Sequence, residues 1–285
     1  MSAAAIGAHV GRLAEIDLAE AATRIGADCV QVFLGDPQDW KADPLAGIDD
    51  AAVRASLAKL GLRLYVHAPY VINVASPDNR IRIPSRNLLQ RTVTAAGQVG
   101  AAGVVVHGGH VPAGADPAAG VANWGKAVQR LEPGAPLLIE NTAGGEGAMA
   151  RSLDQLGRLW DIVGGHDVGL CLDTCHAFAA GHRLDTVVAE VRAVTGRIDL
   201  VHANDSRDPF GSGRDRHADL GTGTIGARAV AQVVREAGCP AVLETPGAKA
   251  GADGEGGVTA EIAWLRAWLS DPDAAGTGPA PRPEG

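Results

Sequence analysis

Residues 168–176 read VGLCLDTCH: five apolar or glycine residues, then an aspartate, then a histidine three positions on. An unbroken run of that kind suits a strand covered on both faces, as in a parallel sheet wrapped by helices. The aspartate does not belong in such a core, so it marks where the strand leaves it. The pattern recurs. Apolar runs close on His, Asp or Glu in YVHAPY (65–70), VVVHGGH (104–110), LLIENT (137–142), DLVHANDS (199–206) and VLETP (242–246).

Working outward, the chain carries eight short β-branched or apolar runs. They are Ile6–Val10, Cys29–Leu34, Arg63–His67, Gly103–His107, Pro136–Glu140, Val168–Asp173, Ile198–His202 and Ala241–Glu244. Helical segments rich in Ala and Leu alternate with them, clearest at Ala51–Leu60, Ser85–Ala102, Gly120–Leu131, Met149–Trp160, Leu184–Thr195 and Ala227–Ala237. Pro84 before Ser85 and Gly61 after Leu60 supply start and stop chemistry. Eight such units within residues 1–270 predict one α/β domain, a single (β/α)8 TIM barrel. The competing architecture, a doubly wound open sheet, expects a glycine-rich first turn, and GAHVGRL (7–13) is not G-x-G-x-x-G. Residues 271–285, DPDAAGTGPAPRPEG, lack apolar periodicity and are expected to form a disordered tail. Gly247–Gly257 is a glycine-rich loop after the eighth run and is expected to be mobile.

Composition narrows the class. A chain of 285 residues, 46% hydrophobic, has enough apolar surface for one substantial core. Its longest apolar stretches, such as Gly103–Val106 and Pro136–Ile139, are too short to cross a bilayer. The opening MSAAAIGAHV has no basic region followed by an apolar run, so no secretory signal is read and a cytoplasmic location, away from membranes, is expected. Cys29, Cys171, Cys175 and Cys239 form no CxxC pair. Cys171-x3-Cys175 has only loose metal-site spacing, and Cys29, Cys171 and Cys239 sit among apolar neighbours as buried thiols do. The net charge of −8 disfavours a non-specific nucleic-acid binder. It says little against an enzyme whose bound metals bring positive charge to the site itself.

In a barrel the C-terminal strand ends converge on one mouth, where catalytic groups sit. That gathers His67, His107, Glu140, Asp173, His202 and Glu244. Any one alone is ordinary, a hydrogen-bonded boundary histidine or a carboxylate capping the next helix. Together, the carboxylates repel and need protons or a counter-ion, and neutral histidines offer lone pairs. Mixed sets of this kind hold borderline or hard cations. Asp173-x-x-His176 adds one imidazole, and Asp215-x-His217 in GSGRDRHADLGTG (211–223) adds a carboxylate and another imidazole. In extended backbone Asp215 and His217 point apart; a tight turn converges them on one ion.

The candidates total nine, five His and four acids, more than one or two ions need. Three ions with Glu140 as the bridge account for them. Four acids and three Zn²⁺ leave +2 at the mouth, which attracts a phosphodiester and draws the pKa of a bound water toward ~7. Catalysis is then mainly metal electrostatics, without a protein nucleophile. Of the other histidines, His9 ends the first run as an orienting partner and His110 is an outer partner. His166 lies in a solvated GGHD turn, and His182 starts a helix.

At this point the sequence resembles the endonuclease IV family of apurinic/apyrimidinic endonucleases. The segments that carry the resemblance are VHAPYVINVASP (66–77), VVHGGH (105–110), IENTAGG (139–145), GLCLDTCHAFAAGH (169–182), VHANDSRDPFGSGRDRHADLGTG (201–223) and LETP (243–246). It extends over residues 6–268. The resemblance implies a trinuclear zinc barrel that cleaves DNA 5′ to abasic sites, leaves a 3′-hydroxyl and trims blocked 3′ ends, in base excision repair. It implies one zinc at His67, His107 and Glu140, a second at Glu140, Asp173, His202 and Glu244, and a third at His176, Asp215 and His217. Mn²⁺ is an expected substitute for one of them. Glu140 is the expected bridging, water-activating residue, and the expected partner is double-stranded DNA bound by a monomer.

DNA contacts follow less closely. Tyr70 matches the family's inserting aromatic and Val71 the apolar residue beside it. The second loop reads LGDPQDW, with Gln38 near the position of an inserting arginine. HGGH is shorter than the common HPGSH, and GAHVGR lacks the usual serine. Arg80, Arg82, Arg86, Arg207, Arg214 and Arg216 are the candidate phosphate contacts, the last two because they flank Asp215. Two rival readings remain, a metal-dependent sugar isomerase or epimerase and a non-catalytic DNA-binding protein. The first leaves His176, Asp215 and His217 surplus; complete donor sets argue against the second.

Overall fold

The computed structural model describes residues 4–41, 43–249 and 257–279. Its framework is seven strands in succession, β1 (Ile6–Arg12), β2 (Cys29–Phe33), β3 (Arg63–His67), β4 (Gly103–His107), β5 (Leu137–Glu140), β6 (Val168–Asp173) and β7 (Leu200–His202). Two short strands follow, β8 (Asp205–Ser206) and β9 (His217–Ala218), and then β10 (Ala241–Leu243). β1 to β7 and β10 pair in parallel and close into an eight-stranded barrel in which β10 lies between β7 and β1. β8 and β9 form a separate antiparallel ribbon above it. This is the (β/α)8 barrel expected from the sequence.

The helices are α1 (Leu18–Ile25), α2 (Asp50–Leu60), α3 (Asn79–Gln98), α4 (Pro117–Val128), α5 (Leu153–Val163), α6 (Thr174–Ala180), α7 (Val187–Thr195), α8 (Ala227–Ala237), α9 (Pro246–Lys249) and α10 (Val258–Ser270). Side chains cap several N-termini. Asp17, Asp49, Asp78 and Asp116 each accept an amide of the first turn, and Ser152 and Gln155 form a capping box. Gly61 ends α2 in the left-handed conformation, as its place in the sequence indicates.

Several boundaries differ from expectation. α4 runs from Pro117 to Val128 instead of Gly120 to Leu131, because Asp116 caps it. α3 starts at Asn79, six residues before Ser85, because Asp78 caps it; Pro84 lies inside the helix rather than at its start. α5 starts at Leu153, after its capping box, and runs on to Val163. α7 starts at Val187. Within residues 271–279, Trp264 Nε1 donates to the Ala275 carbonyl at 2.9 Å, and Arg228 donates to that of Gly276. Residues 280–285 lie outside the described residues. Of the Gly247–Gly257 loop, the first residues form the end of α9, and residues 250–256 lie outside the described residues. No helix among the described residues is long and apolar enough to cross a membrane.

The core has two parts. Most buried apolar residues form one cluster between the strands and the helices. A second cluster, Cys29, Tyr65, Val105, Leu138, Cys171, Leu200 and Val242, fills the barrel interior. β1 contributes Gly7 at the matching position, where a Cβ would lie 1.5 Å from the Cys29 carbonyl oxygen, so only glycine lets these strands close. Side chains alternate along a strand, so the next inward position is two residues on. Those positions are His9, Gln31, His67, His107, Glu140, Asp173, His202 and Glu244. The strand periodicity alone therefore delivers a ring of polar side chains to the mouth.

Candidate metal centre

All nine residues singled out in the sequence meet at this mouth. Each of three sets offers one donor atom per residue within 4.8 Å of the others: His67, His107 and Glu140; Glu140, Asp173, His202 and Glu244; and His176, Asp215 and His217. Glu140 belongs to two sets. It is completely buried; its Oε2 lies 3.5 Å from His67 Nε2 and 3.3 Å from His107 Nε2, and its Oε1 lies 3.0 Å from His202 Nδ1. The third set closes on Asp215 Oδ1, 3.1 Å from His176 Nε2 and 3.2 Å from His217 Nε2. Asp215 and His217 converge without the tight turn expected between them: residues 212–216 are irregular and His217 opens β9.

Two further observations bear on what these sets hold. Donor atoms about 2.0 Å from a tetrahedral ion stand about 3.3 Å from one another, close to the spacings just given. Moreover, Glu140 Oε2, His176 Nε2 and His217 Nε2 are buried without a hydrogen-bond partner. Such atoms are costly unless satisfied, and all three lie in the donor sets. The residues fit divalent cations.

The charge balance agrees. Burial pushes the Glu140 carboxyl up, but His202 and His107 overcome this and hold it well below the usual range. Glu244, subject to the same opposition between burial and His202, is held down at about 2. Burial works against protonating His176, His202 and His217, yet the surrounding carboxylates, preceded at His202 by Cys171, raise all three. Without cations the cluster thus draws protons onto its histidines, which is what four convergent carboxylates demand.

The histidines are oriented from behind. His67 Nδ1 bonds the Ala68 carbonyl at 2.7 Å, His176 Nδ1 that of Asn141 at 2.9 Å, and His217 Nδ1 that of Glu244 at 3.3 Å. In each the backbone leaves Nε2 to face the site. Asp173 serves twice: Oδ1 caps α6 through the His176 amide at 2.6 Å, and Oδ2 accepts from Asn204 Nδ2 at 2.6 Å. His9 is buried beside Glu244, as its strand-end place predicted. His110 ties its loop to Asn73, His166 is exposed, and His182 bonds the Arg151 carbonyl.

Sequence reading missed Gln31, Asn141 and Asn204. All three are buried; Asn141 exchanges two hydrogen bonds with the Asp173 backbone, and Asn204 accepts from the Glu244 amide at 2.8 Å. The two asparagines announce themselves one residue after Glu140 and two after His202. Cys171 belongs to the barrel interior instead of a metal pair with Cys175. Cys175 lies beside Asp173 and His217, a further donor combination, but burial pushes its thiol up to about 12.

A cavity of about 730 Å³ opens above the cluster, lined in part by Tyr70, Arg207, Arg216 and Pro246. Tyr70 is 50% exposed, its ring 5.2 Å from that of His67 and 5.1 Å from that of Phe33. Val71 is half-buried against the core, and Gln38 is exposed in a turn whose amide bonds Asp36. Arg216 makes a two-pronged pair with the buried Asp208, and Arg214 reaches the same carboxylate at 3.5 Å. Arg82 is committed to the carbonyls of Ser76 and Pro77. Arg80 and Arg207 are exposed, and Arg86 is half-exposed. Phe210, another exposed aromatic on the β8–β9 loop, rests edge-on against Phe178 at 5.3 Å.

Comparison with known proteins adds a family. A family model described as xylose isomerase-like TIM barrel matches residues 19–268. A Mycobacterium tuberculosis protein named probable endonuclease 4 is 53% identical over 240 residues, 84% of this chain and 92% of its own length. One of the same name from Mycobacterium leprae is 51% identical over 261 residues, covering 92% of this chain and 97% of its own. The crystal structure of endonuclease IV from Thermus thermophilus superposes with a TM-score of 0.77 at 29% identity, over 94% of this chain and 99% of that one. A D-tagatose 3-epimerase-like protein, at 19% identity and a TM-score of 0.66 over 84% and 89%, shares the fold. With relatives at this identity spanning nearly its whole length, the chain belongs to the endonuclease IV family of xylose isomerase-like TIM barrels.

Proposed function

We propose that this protein hydrolyses the DNA phosphodiester 5′ to abasic sites and trims blocked 3′ ends, as an apurinic/apyrimidinic endonuclease of base excision repair. The observation that carries the reading is the set of three donor clusters, two of them joined at Glu140. Relatives named endonuclease 4 support the nuclease assignment. The reading assigns three Zn²⁺, one replaceable by Mn²⁺, to the three sets. Bound there, the ions supply Lewis acidity: they lower the pKa of water from 15.7 toward about 7 and offset phosphodiester charge.

The rest falls to the chain. Glu140, buried, ionised and shared by two sets, is the residue on which water activation depends. Cys175, its thiol protonated, takes no part as a nucleophile. Tyr70 presents a ring at the rim, suited to stacking on a base or parting a pair at the lesion, with Val71 packed beside it. Gln38 stands in the second loop, where an inserting side chain is expected. Arg207 and Arg216 line the cavity and suit phosphate contacts. Asp208 holds Arg214 and Arg216 on either side of Asp215, so the backbone contacts and the third donor set share one loop. The protein acts as a monomer on double-stranded DNA, in the cytoplasm and away from membranes.

Elemental analysis of gently purified protein, paired with a nicking assay on a duplex bearing one abasic site, tests this. We expect three ions per chain and a single nick 5′ to the lesion, abolished by chelation. Tight binding without cleavage in any metal would make it a binding protein. One or two ions with sugar turnover would make it an epimerase.

A further inference from the structure

Eight side chains form the polar ring at the barrel mouth, and seven of them are titratable. The eighth is Gln31, fully buried in the middle of β2. Its amide makes three contacts. Nε2 lies 2.6 Å from Glu244 Oε1 and 3.2 Å from His9 Nδ1; Oε1 lies 2.9 Å from His202 Nε2. These admit one assignment of hydrogens. The Glu244 carboxylate only accepts, so the amide nitrogen must face it; a reversed amide would set two acceptors together. The second amide hydrogen then goes to His9 Nδ1. Oε1 only accepts, so His202 carries its hydrogen on Nε2.

His202 differs from its neighbours in this respect. His67, His176 and His217 are each held by a backbone carbonyl at Nδ1 and present Nε2. His202 is held at Nε2 and presents Nδ1, which lies 3.0 Å from Glu140 Oε1 and 3.2 Å from Glu244 Oε2. The carbonyl's task passes to a side chain. A buried amide is costly unless fully bonded, and an apolar residue would fill β2 without that demand, as Cys29 does one inward step below.

We propose that Gln31 is a positioning residue of the metal centre. It fixes His202 with Nδ1 as the donor atom and pins Glu244 so that Oε2 faces the same point. This rests on the metal-centre reading above. An amide suits the task better than a carboxylate, which would orient His202 but would add a fifth acid and lose the bond to Glu244. Outer partners of this kind typically set metal affinity by about 10–100-fold.

The test uses the full chain, wild type and with Gln31→Leu or Gln31→Glu. Side-chain ¹⁵N NMR of the zinc-loaded wild type should show His202 coordinated through Nδ1, with a slowly exchanging proton on Nε2. Chelator competition should show the weakest-held zinc of Gln31→Leu released about 10–100-fold more readily than any of the wild type. Gln31→Glu should keep the protected Nε2 proton, which Gln31→Leu loses. A wild-type spectrum with His202 coordinated through Nε2 would overturn the proposal even if neither variant folds. So would Gln31→Leu protein with wild-type zinc affinity. If the wild type itself took up no zinc, the metal-centre reading would fall as well. Full zinc in the wild type and an unchanged variant would sink the Gln31 role alone.

Discussion

Leu138 and Glu140 lie two residues apart on one strand and face the same interior, yet they belong to different kinds of matter. The lower ring, from Cys29 round to Val242, is an apolar plug. The upper ring is His9, Gln31, four acids and histidines on the middle strands, then His202 and Glu244. Backbone geometry is common to both, so it explains neither. The difference is one inward step of the pleat, repeated on every strand. The lower ring can be read as stability and the upper as chemistry, and the division can be attacked from either side.

The largest effect is expected from the upper ring. Glu140→Gln keeps volume and removes the charge that two donor sets share. Cleavage should fall to background, a loss beyond the about 10–100-fold that an outer partner brings, and zinc content should drop below that of the wild type. Near-normal cleavage with full zinc would end the bridging role. Next comes the lower ring. Leu138→Ala removes buried methyls with no polar partner and should cost about 2–5 kcal/mol of stability, read as a lower denaturation midpoint. Zinc per folded chain and cleavage per folded chain should stay as in the wild type. If cleavage per folded molecule collapsed with stability, the two rings would not be separable.

The same step explains what the sequence disclosed. Eight apolar runs were visible because both faces of each strand are buried. Six of the mouth residues were visible because a charge or imidazole ends the run. Gln31 was not, since it sits inside CVQVF (29–33), carries no charge and is followed by two more apolar residues. Counting two from Cys29 would have found it, but only once the ring was known. Asp215 and His217 were legible as residue types and their convergence as one possibility; what was not legible is how it is reached, through a loop pinned to α6 by Gly211 and Gly213. Helix starts were misplaced where a visible cap was outweighed. Pro84 drew attention from Asp78, and Met149 from the Ser152–Gln155 box. The bonds accepted by Ala275 and Gly276 could not be read from the sequence, because carbonyls make them and any residue supplies a carbonyl.

The finest test of the division is pH, because only the upper ring titrates near neutrality; burial pushes the Cys29 and Cys171 thiols of the lower ring up to about 12 and raises Tyr65 as well. In the metal-free chain His176, His202 and His217 are raised above 6.5. That stabilises the fold fully below the unfolded value and is lost as pH rises through the folded ones. Glu140 and Glu244 are lowered from 4.5, Glu244 to about 2, which stabilises above 4.5 and is lost as pH falls through the folded values. The stripped protein should therefore gain most from this ring between those two ordinary values, and should weaken above them. Cations need the histidines neutral, so the loaded protein should behave in the opposite sense. The difference in Tm between zinc-loaded and stripped protein should widen from about pH 5.5 to about pH 8, reaching the equivalent of about 2.7 kcal/mol for each ion held at zinc a hundredfold above its Kd. Leu138→Ala should lower both curves alike and leave that widening intact. A constant or narrowing difference in the wild type would mean that cations and histidine protons do not compete for the same donors.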